Sequence, residues 1–154
     1  MIKAIDHVEV LTRDVGKTED FYVNVLGFEP WRHTAAVRPD GTRWELACVR
    51  LGDLMVEILK ANEQASDLPA EQTRVGMRMF ALRVDSMAET IAELESKGVE
   101  ISRPPTQQTV YDGLRAEIKD PNGISIELRE WQDGDSIKND NWSPSAEGVT
   151  LLSR

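Results

Sequence analysis

The feature that most constrains the fold is an internal repeat, in which two segments have the same order of elements about 70 residues apart. The segment "IDHVEVLTRDVGKTEDFYVNVLGFE" near the start and the segment "MRMFALRVDSMAETIAELESKGVE" in the middle show the same pattern. Each predicts a strand, a turn, an amphipathic helix and a glycine that ends the helix. The repeat therefore indicates two copies of one supersecondary unit.

Each copy continues with three further predicted strands. They lie at residues 31–34, 44–51 and 54–59 in the first copy, and at 100–102, 114–119 and 124–129 in the second. Both copies thus have the order β-α-β-β-β. We predict an α+β fold in which two tandem βαβββ modules form a cupped, mostly antiparallel eight-stranded sheet, with the helices outside because each has one apolar stripe.

The polar stretches of the sequence predict where the modules begin and end. We expect a first module at 1–60, a linker at 61–75, a second module at 76–131 and a C-terminal tail at 132–154. The tail is polar and rich in turn residues, but it contains Trp142 and the apolar run "VTLL". We therefore predict that it packs against its own subunit or a partner subunit.

Two predicted strands carry a glutamate at their centre. In "KDPNGISIELRE" the alternation places Ile124, Ile126 and Leu128 on one face and Glu127 on the other, and "LGDLMVEILKAN" treats Glu57 in the same way. A solvated sheet face explains one such glutamate. If instead the two carboxylates converge, they require a cation or a shared proton between them.

Composition limits the classes of partner. Acidic residues outnumber basic ones 27 to 18, and the net charge of -9 disfavours nucleic acid and anionic membranes. No apolar run approaches the roughly 20 residues that span a bilayer, and the first residues form a strand pattern without a signal-peptide core. The single cysteine, Cys48, is expected to be buried and reduced. These features predict a cytoplasmic protein and leave cationic or metal-bearing ligands possible.

Three motifs, "IDHVEV", "FYVNVLGFE" and "DPNGISIELRE", resemble in their order and spacing the vicinal oxygen chelate superfamily. This superfamily includes glyoxalase I, methylmalonyl-CoA epimerase, extradiol dioxygenases, and fosfomycin and bleomycin resistance proteins. The resemblance covers residues 2–131 and is closest to small glyoxalase I-like proteins. It implies the same paired-module fold, but it does not select one reaction, because this fold supports several chemistries.

The resemblance also implies a metal site. In metal-using members the first and last strands of each half supply one ligand each, and His7, Glu57 and Glu127 occupy the first, second and fourth of these positions. The third position, usually a histidine, is Met79. The set implies a divalent ion such as Zn, Ni, Mn, Co or Fe, although a neutral thioether predicts weak binding or none.

Two main functions follow from this resemblance. One is a metal-dependent lyase or isomerase of the glyoxalase type, acting through an enediolate on a substrate with vicinal oxygens, with Glu57 or Glu127 as the base. The alternative is a metal-free, bleomycin-resistance-like protein whose acidic groove, with Trp31 and Trp44, binds a cationic compound. A third hypothesis is a module that serves association alone.

Other residues are less specific candidates. Arg38, Arg43, Trp44 and Tyr111 are candidate substrate contacts, although arginines beside a turn are commonly solvated. His33, the second histidine, is a poor candidate for completing the metal site. The resemblance further implies a homodimer, since family members commonly pair modules across subunits.

Overall fold

A computed structural model describes residues 5–67, 76–108 and 113–131. The chain divides into two compact units, Met1–Ala70 with Asp120–Gly123, and Glu71–Lys119 with Ile124–Arg154. Most of the predicted linker, Tyr111 and the predicted tail lie outside the described residues. Among the described residues, no helix combines the length and the apolar character needed to cross a membrane.

The first unit contains a four-stranded sheet and one helical segment. Strands and helices follow in the order β1 (Val8–Thr12), α1 (Val15–Asp20), a π-helical turn (Phe21–Val25), β2 (Glu29–Val37), β3 (Arg43–Leu51) and β4 (Leu54–Lys60). The strand order across the sheet is β1-β4-β3-β2, in which β1 runs parallel to β4 and the other neighbours are antiparallel. This is the predicted βαβββ module.

Helix α1 covers one face of this sheet. The Asp14 side chain caps the helix by accepting a hydrogen bond from the Lys17 backbone N–H. Val10, Val56 and Ile58 are fully buried on the side that α1 covers. Because side chains alternate along a strand, the residues between these three point to the face opposite α1.

The second unit repeats the arrangement. Its elements are β5 (Met79–Arg83), α2 (Met87–Ser96), β6 (Ile101–Gln107), β7 (Gly113–Lys119) and β8 (Ser125–Trp131). The strand order is β5-β8-β7-β6, again with one parallel pair. Ser86 caps α2 by accepting a hydrogen bond from the Glu89 N–H, as its spacing predicts. The α+β fold with two βαβββ modules is therefore confirmed, with the eight strands hydrogen-bonded as two sheets of four.

Strand β6 differs most from the sequence prediction. We expected it to end at residue 102, yet the strand continues through Pro104 and Pro105 to Gln107. Proline lacks a backbone N–H and is tolerated at a sheet edge, where one side of the strand needs no partner. β6 is such an edge strand, and its pairing with β7 shifts register on either side of Arg103.

The two modules have the same register between their first and last strands. Glu9 on β1 lies opposite Glu57 on β4, and Ala81 on β5 lies opposite Glu127 on β8. The predicted equivalence of the two glutamates is therefore present in the strand pairing. It allows each residue of one sheet to be compared with its counterpart in the other.

Candidate metal centre

Three side chains with metal-binding groups converge on the face opposite α1. His7, Glu9 and Glu57 each offer one ligand atom, and these atoms lie within 4.8 Å of one another. Glu9 and Glu57 are paired across the parallel strands, and His7 precedes Glu9 by two residues, so all three point to one side. The structure thus brings together two residues of the predicted ligand set and adds Glu9.

The ring of His7 is oriented by carboxylates on both sides. Its Nδ1 lies 3.0 Å from Asp6 Oδ2, and its Nε2 lies 3.7 Å from Glu57 Oε2. The hydrogen bond to Asp6 raises the pKa of His7 most, burial opposes it in part, and the charges of Glu57, Asp6 and Glu9 raise it further. In metal-bound histidines, one ring nitrogen binds the metal and the other commonly donates a hydrogen bond to a carboxylate. The contact between His7 and Asp6 matches this arrangement.

The composition of this cluster suits a divalent ion. One imidazole and two carboxylates match the preferences of Mn, Co, Ni, Zn and Fe(II). The side chains of His7 and Glu57 are 36% and 25% exposed, so a small molecule can reach them. Across the three described ranges, this is the one group of at least three His, Cys, Asp or Glu side chains with this geometry.

Glu127, the predicted fourth-position ligand, has a different environment. It is 5% exposed on the face opposite α2. Its Oε1 accepts a hydrogen bond of 2.7 Å from Arg129 Nε, and its Oε2 lies 2.8 Å from Arg115 Nε. The Arg115 N–H does not point at this oxygen, so that contact is ionic. Two guanidinium groups of its own sheet therefore balance the charge of Glu127.

A second buried carboxylate extends this network of arginines. Glu117 is 1% exposed, and its oxygens lie 3.2 Å from both Arg78 and Arg103. Arg115 also contacts Glu117, so it links the two glutamates. The sequence analysis missed this network. In each of the motifs "LRAEI" and "IELRE", an arginine and a glutamate two residues apart lie on the same face of a strand. The register that brings the two motifs side by side is visible only in the structure.

Met79 occupies the position in the second sheet that His7 occupies in the first. It precedes Ala81 by two residues, as His7 precedes Glu9. The side chain is half-buried, and its sulfur lies 3.2 Å from a terminal nitrogen of Arg78. The equivalence of His7 and Met79 inferred from the sequence therefore agrees with the strand register.

The weaker substrate candidates lie in the β2–β3 hairpin. Arg38 follows β2, Arg43 begins β3 and Trp44 comes next, with both arginines exposed. Trp44 is four residues along β3 from Cys48, the partner of Glu57, which corresponds to roughly 13 Å. The hairpin candidates are thus well separated along the sheet from the His7 cluster.

The second histidine has a different set of partners. His33 Nδ1 lies 2.7 Å from Glu19 Oε2, and its Nε2 lies 3.1 Å from Glu45 Oε1. These hydrogen bonds raise the pKa of His33. His33 therefore joins α1 to the sheet instead of completing the metal cluster. Cys48 is buried as predicted, and its burial raises the pKa of the thiol.

Comparisons with known proteins agree with this architecture. Residues 4–128 match the family model described as Glyoxalase/Bleomycin resistance protein/Dioxygenase superfamily. The crystal structure of a glyoxalase family protein from Enterococcus faecalis is similar, with a TM-score of 0.72 and 30% sequence identity, over 83% of this chain and 98% of that one.

Two curated proteins are also similar in sequence. YwkD of Bacillus subtilis, described as uncharacterized, is 29% identical over 84% of this chain and 98% of its own length. Glyoxylase I 4 of Arabidopsis thaliana is 27% identical over 82% of this chain and 70% of its own length. Both similarities extend across both modules.

Proposed function

The chain belongs to the Glyoxalase/Bleomycin resistance protein/Dioxygenase superfamily, and we propose that it is a glyoxalase I-like, metal-dependent lyase or isomerase. Its substrate would be a small molecule with oxygens on neighbouring carbon atoms. The observation that carries the proposal is the convergence of His7, Glu9 and Glu57, in which His7 Nε2 faces Glu57 Oε2 at 3.7 Å. Similarity to the Arabidopsis protein named Glyoxylase I 4 supports the same reaction class.

The donor set fits the metal that the family implies. His7 and Glu57 would hold the ion, and the family pattern assigns Glu127 as a further ligand. A bound divalent ion would supply a Lewis acid that makes a proton beside the substrate oxygens easier to remove. Asp6 would keep the Nδ1–H of His7 engaged, so that Nε2 carries the lone pair needed for coordination.

A carboxylate supplies the proton-transfer step. Glu57 is partly exposed and lies beside the imidazole, so it can leave the ion and take the proton from the hydroxyl-bearing carbon next to the carbonyl. In an isomerase the same carboxylate then returns the proton to the adjacent carbon. Glu127 is the second candidate base, but it would first have to leave Arg115 and Arg129.

The test follows metal content and proton exchange together. Protein purified without chelators should contain a divalent metal, and it should exchange deuterium from D2O into hydroxycarbonyl substrates, which NMR detects. His7→Gln and Glu57→Gln should lose the exchange, whereas the control Glu29→Gln, which removes an exposed charge on β2, should keep it. Equal exchange rates with and without chelator would contradict the proposal.

A metal-free binding protein is the second candidate. Two observations favour it: Met79 stands at the position of a usual ligand, and Glu127 is balanced by arginines. Trp31 is 50% exposed, but Arg32 and Arg50 lie over its ring, which disfavours stacking of a cationic compound there. An unchanged melting temperature after chelator treatment would favour this candidate.

We also propose that the protein is a cytoplasmic homodimer. The implied pairing of modules in related proteins and the apolar residues of the C-terminal tail support this assembly, although the tail lies outside the described residues. Light scattering at micromolar concentration should give twice the chain mass of 17.3 kDa. A monomer under those conditions would contradict the dimer.

A further inference from the structure

We infer that the first sheet holds the metal ion alone, with Glu9 as the third protein ligand in place of Glu127. This inference rests on the proposed metal dependence. It differs from the ligand set implied by the family pattern, in which both modules contribute. The reasons lie in the geometry of the first sheet and in the ion pairs of the second.

The first reason is the strand geometry around Glu9. Glu9 and Glu57 are direct neighbours on parallel strands, about 4.8 Å apart at their backbones, and His7 lies on the same side two residues earlier. Each residue can therefore direct one ligand atom to a common point, and the three atoms already lie within 4.8 Å of one another. Three protein ligands with open positions are sufficient for a catalytic metal.

The second reason is the charge at this point. Two carboxylates side by side on adjacent strands repel each other, which destabilises the sheet unless a cation lies between them. Glu9 is exposed, and it forms no hydrogen bond or ion pair of the usual length with any residue that the structure describes. Its oxygens are therefore available to an ion without the loss of an existing contact.

The third reason is that Glu127 would lose its contacts if it moved to an ion. Both of its oxygens are engaged by arginines at 2.7 and 2.8 Å, and the residue is 5% exposed. A carboxylate that is already neutralised by Arg115 and Arg129 has little electrostatic attraction left for a cation. Transfer to a metal would also break the ion pairs that Glu127 makes with two partly buried guanidinium groups.

The experiment is a calorimetric titration of MnCl2 and of NiCl2 into the full-length protein at fixed pH. We compare the parent protein with Glu9→Gln, Glu9→Asp, Glu127→Gln and the charge control Glu29→Gln. Glu9→Gln should weaken metal binding at least tenfold, because it removes an anionic ligand. Glu9→Asp should retain part of the affinity, and Glu127→Gln and Glu29→Gln should each change it less than about threefold.

The outcomes separate this inference from the proposed function. If the parent and Glu9→Gln bind the metal equally well, the inference is wrong. This conclusion holds even if Glu127→Gln fails to fold. If affinity depends on Glu127 instead, the inference is also wrong, but the metal-dependent function stands. If affinity depends on Glu9 and no proton exchange occurs, the inference stands and the proposed reaction fails. If the parent binds no metal, both are overturned.

Discussion

The two sheets share one strand register, but the carboxylates on their equivalent faces have different neighbours. In the first sheet Cys48 lies opposite Glu57, and the pair two residues further along, on the same face, is Leu46 with Leu59. These leucines give Glu57 no counter-charge. The charged partner of Glu57 on this face is instead His7, whose Nε2 lies 3.7 Å from Glu57 Oε2.

In the second sheet the corresponding positions hold charged pairs. Glu117 lies opposite Glu127, and the next pair is Arg115 with Arg129. The arginines satisfy both carboxylates from within the sheet. On one backbone frame a carboxylate can thus lie beside a histidine or within an arginine network, depending on its cross-strand neighbours.

The largest effect should come from breaking the arginine network. Glu117→Gln removes a buried charge that Arg78, Arg103 and Arg115 share, while Arg115 keeps its contact with Glu127, and it should lower the free energy of unfolding by about 2–3 kcal/mol, less than for fully buried pairs because the arginines are partly exposed. The measurement is urea denaturation. The matched variant Glu57→Gln in the first sheet should cost less than about 0.5 kcal/mol, since it relieves repulsion with Glu9. Equal losses in both variants would remove the contrast between the sheets.

A smaller effect is expected at the residue that orients His7. Asp6→Asn should weaken Mn binding about threefold, because an amide holds the Nδ1–H of His7 less strongly than a carboxylate does. The effect is small because the Asp6 side chain is 89% exposed. Calorimetry would measure it, with His7→Gln as the reference for complete loss of the imidazole. A loss as large as that of His7→Gln would mean that Asp6 is itself a ligand.

The pH dependence of stability should distinguish the sheets further. Glu19 and Glu45 pair with His33, which titrates, whereas Glu117 and Glu127 pair with arginines, which do not. The raised pKa of His33 means that its contribution is complete below about pH 6.5 and is lost as the pH rises through the folded-state pKa.

The test compares the parent with His33→Gln at two pH values. The parent should be more stable by about 0.5 kcal/mol at pH 5.5, a value typical of exposed ion pairs, and the difference should vanish by pH 9. Thermal unfolding at both pH values measures it. A difference that increased with pH would show that His33 is stabilised in its neutral form.

The smallest effect is expected at Met79. If both modules shared the ion, Met79→His would complete its coordination and tighten binding, as the family pattern implies. If the first sheet holds the ion alone, this substitution should change the Mn affinity by less than about twofold. Calorimetric titration separates these results. A tenfold tightening would show that the second sheet contributes to the site.

Much of the fold could be predicted from the sequence, because the repeat and the strand alternation are local patterns. The equivalence of His7 with Met79 and of Glu57 with Glu127 was implied by the family resemblance and supported by their similar spacing in the sequence. Glu9 was missed because a polar residue between Val8 and Val10 fits any half-solvated strand. Its importance depends on its pairing with Glu57, and that register is set by long-range strand contacts.

The environment of Glu127 could not be predicted for a similar reason. The sequence shows Arg129 two residues away, but Arg115 belongs to another strand and reaches Glu127 only through the β7–β8 register. The length of β6 also depended on its edge position, which no local pattern reveals. For Glu127 the missing information was the identity of the cross-strand neighbour, and for β6 it was the order of the strands in the sheet.

The most direct test of a metal site on the first sheet is the anomalous diffraction signal of crystals grown with MnCl2. We predict one strong peak within about 2.0–2.3 Å of His7 Nε2 and of one oxygen each of Glu9 and Glu57, with Glu127 still bound to Arg115 and Arg129. A peak coordinated by Glu127, with Glu9 turned to solvent, would contradict the account.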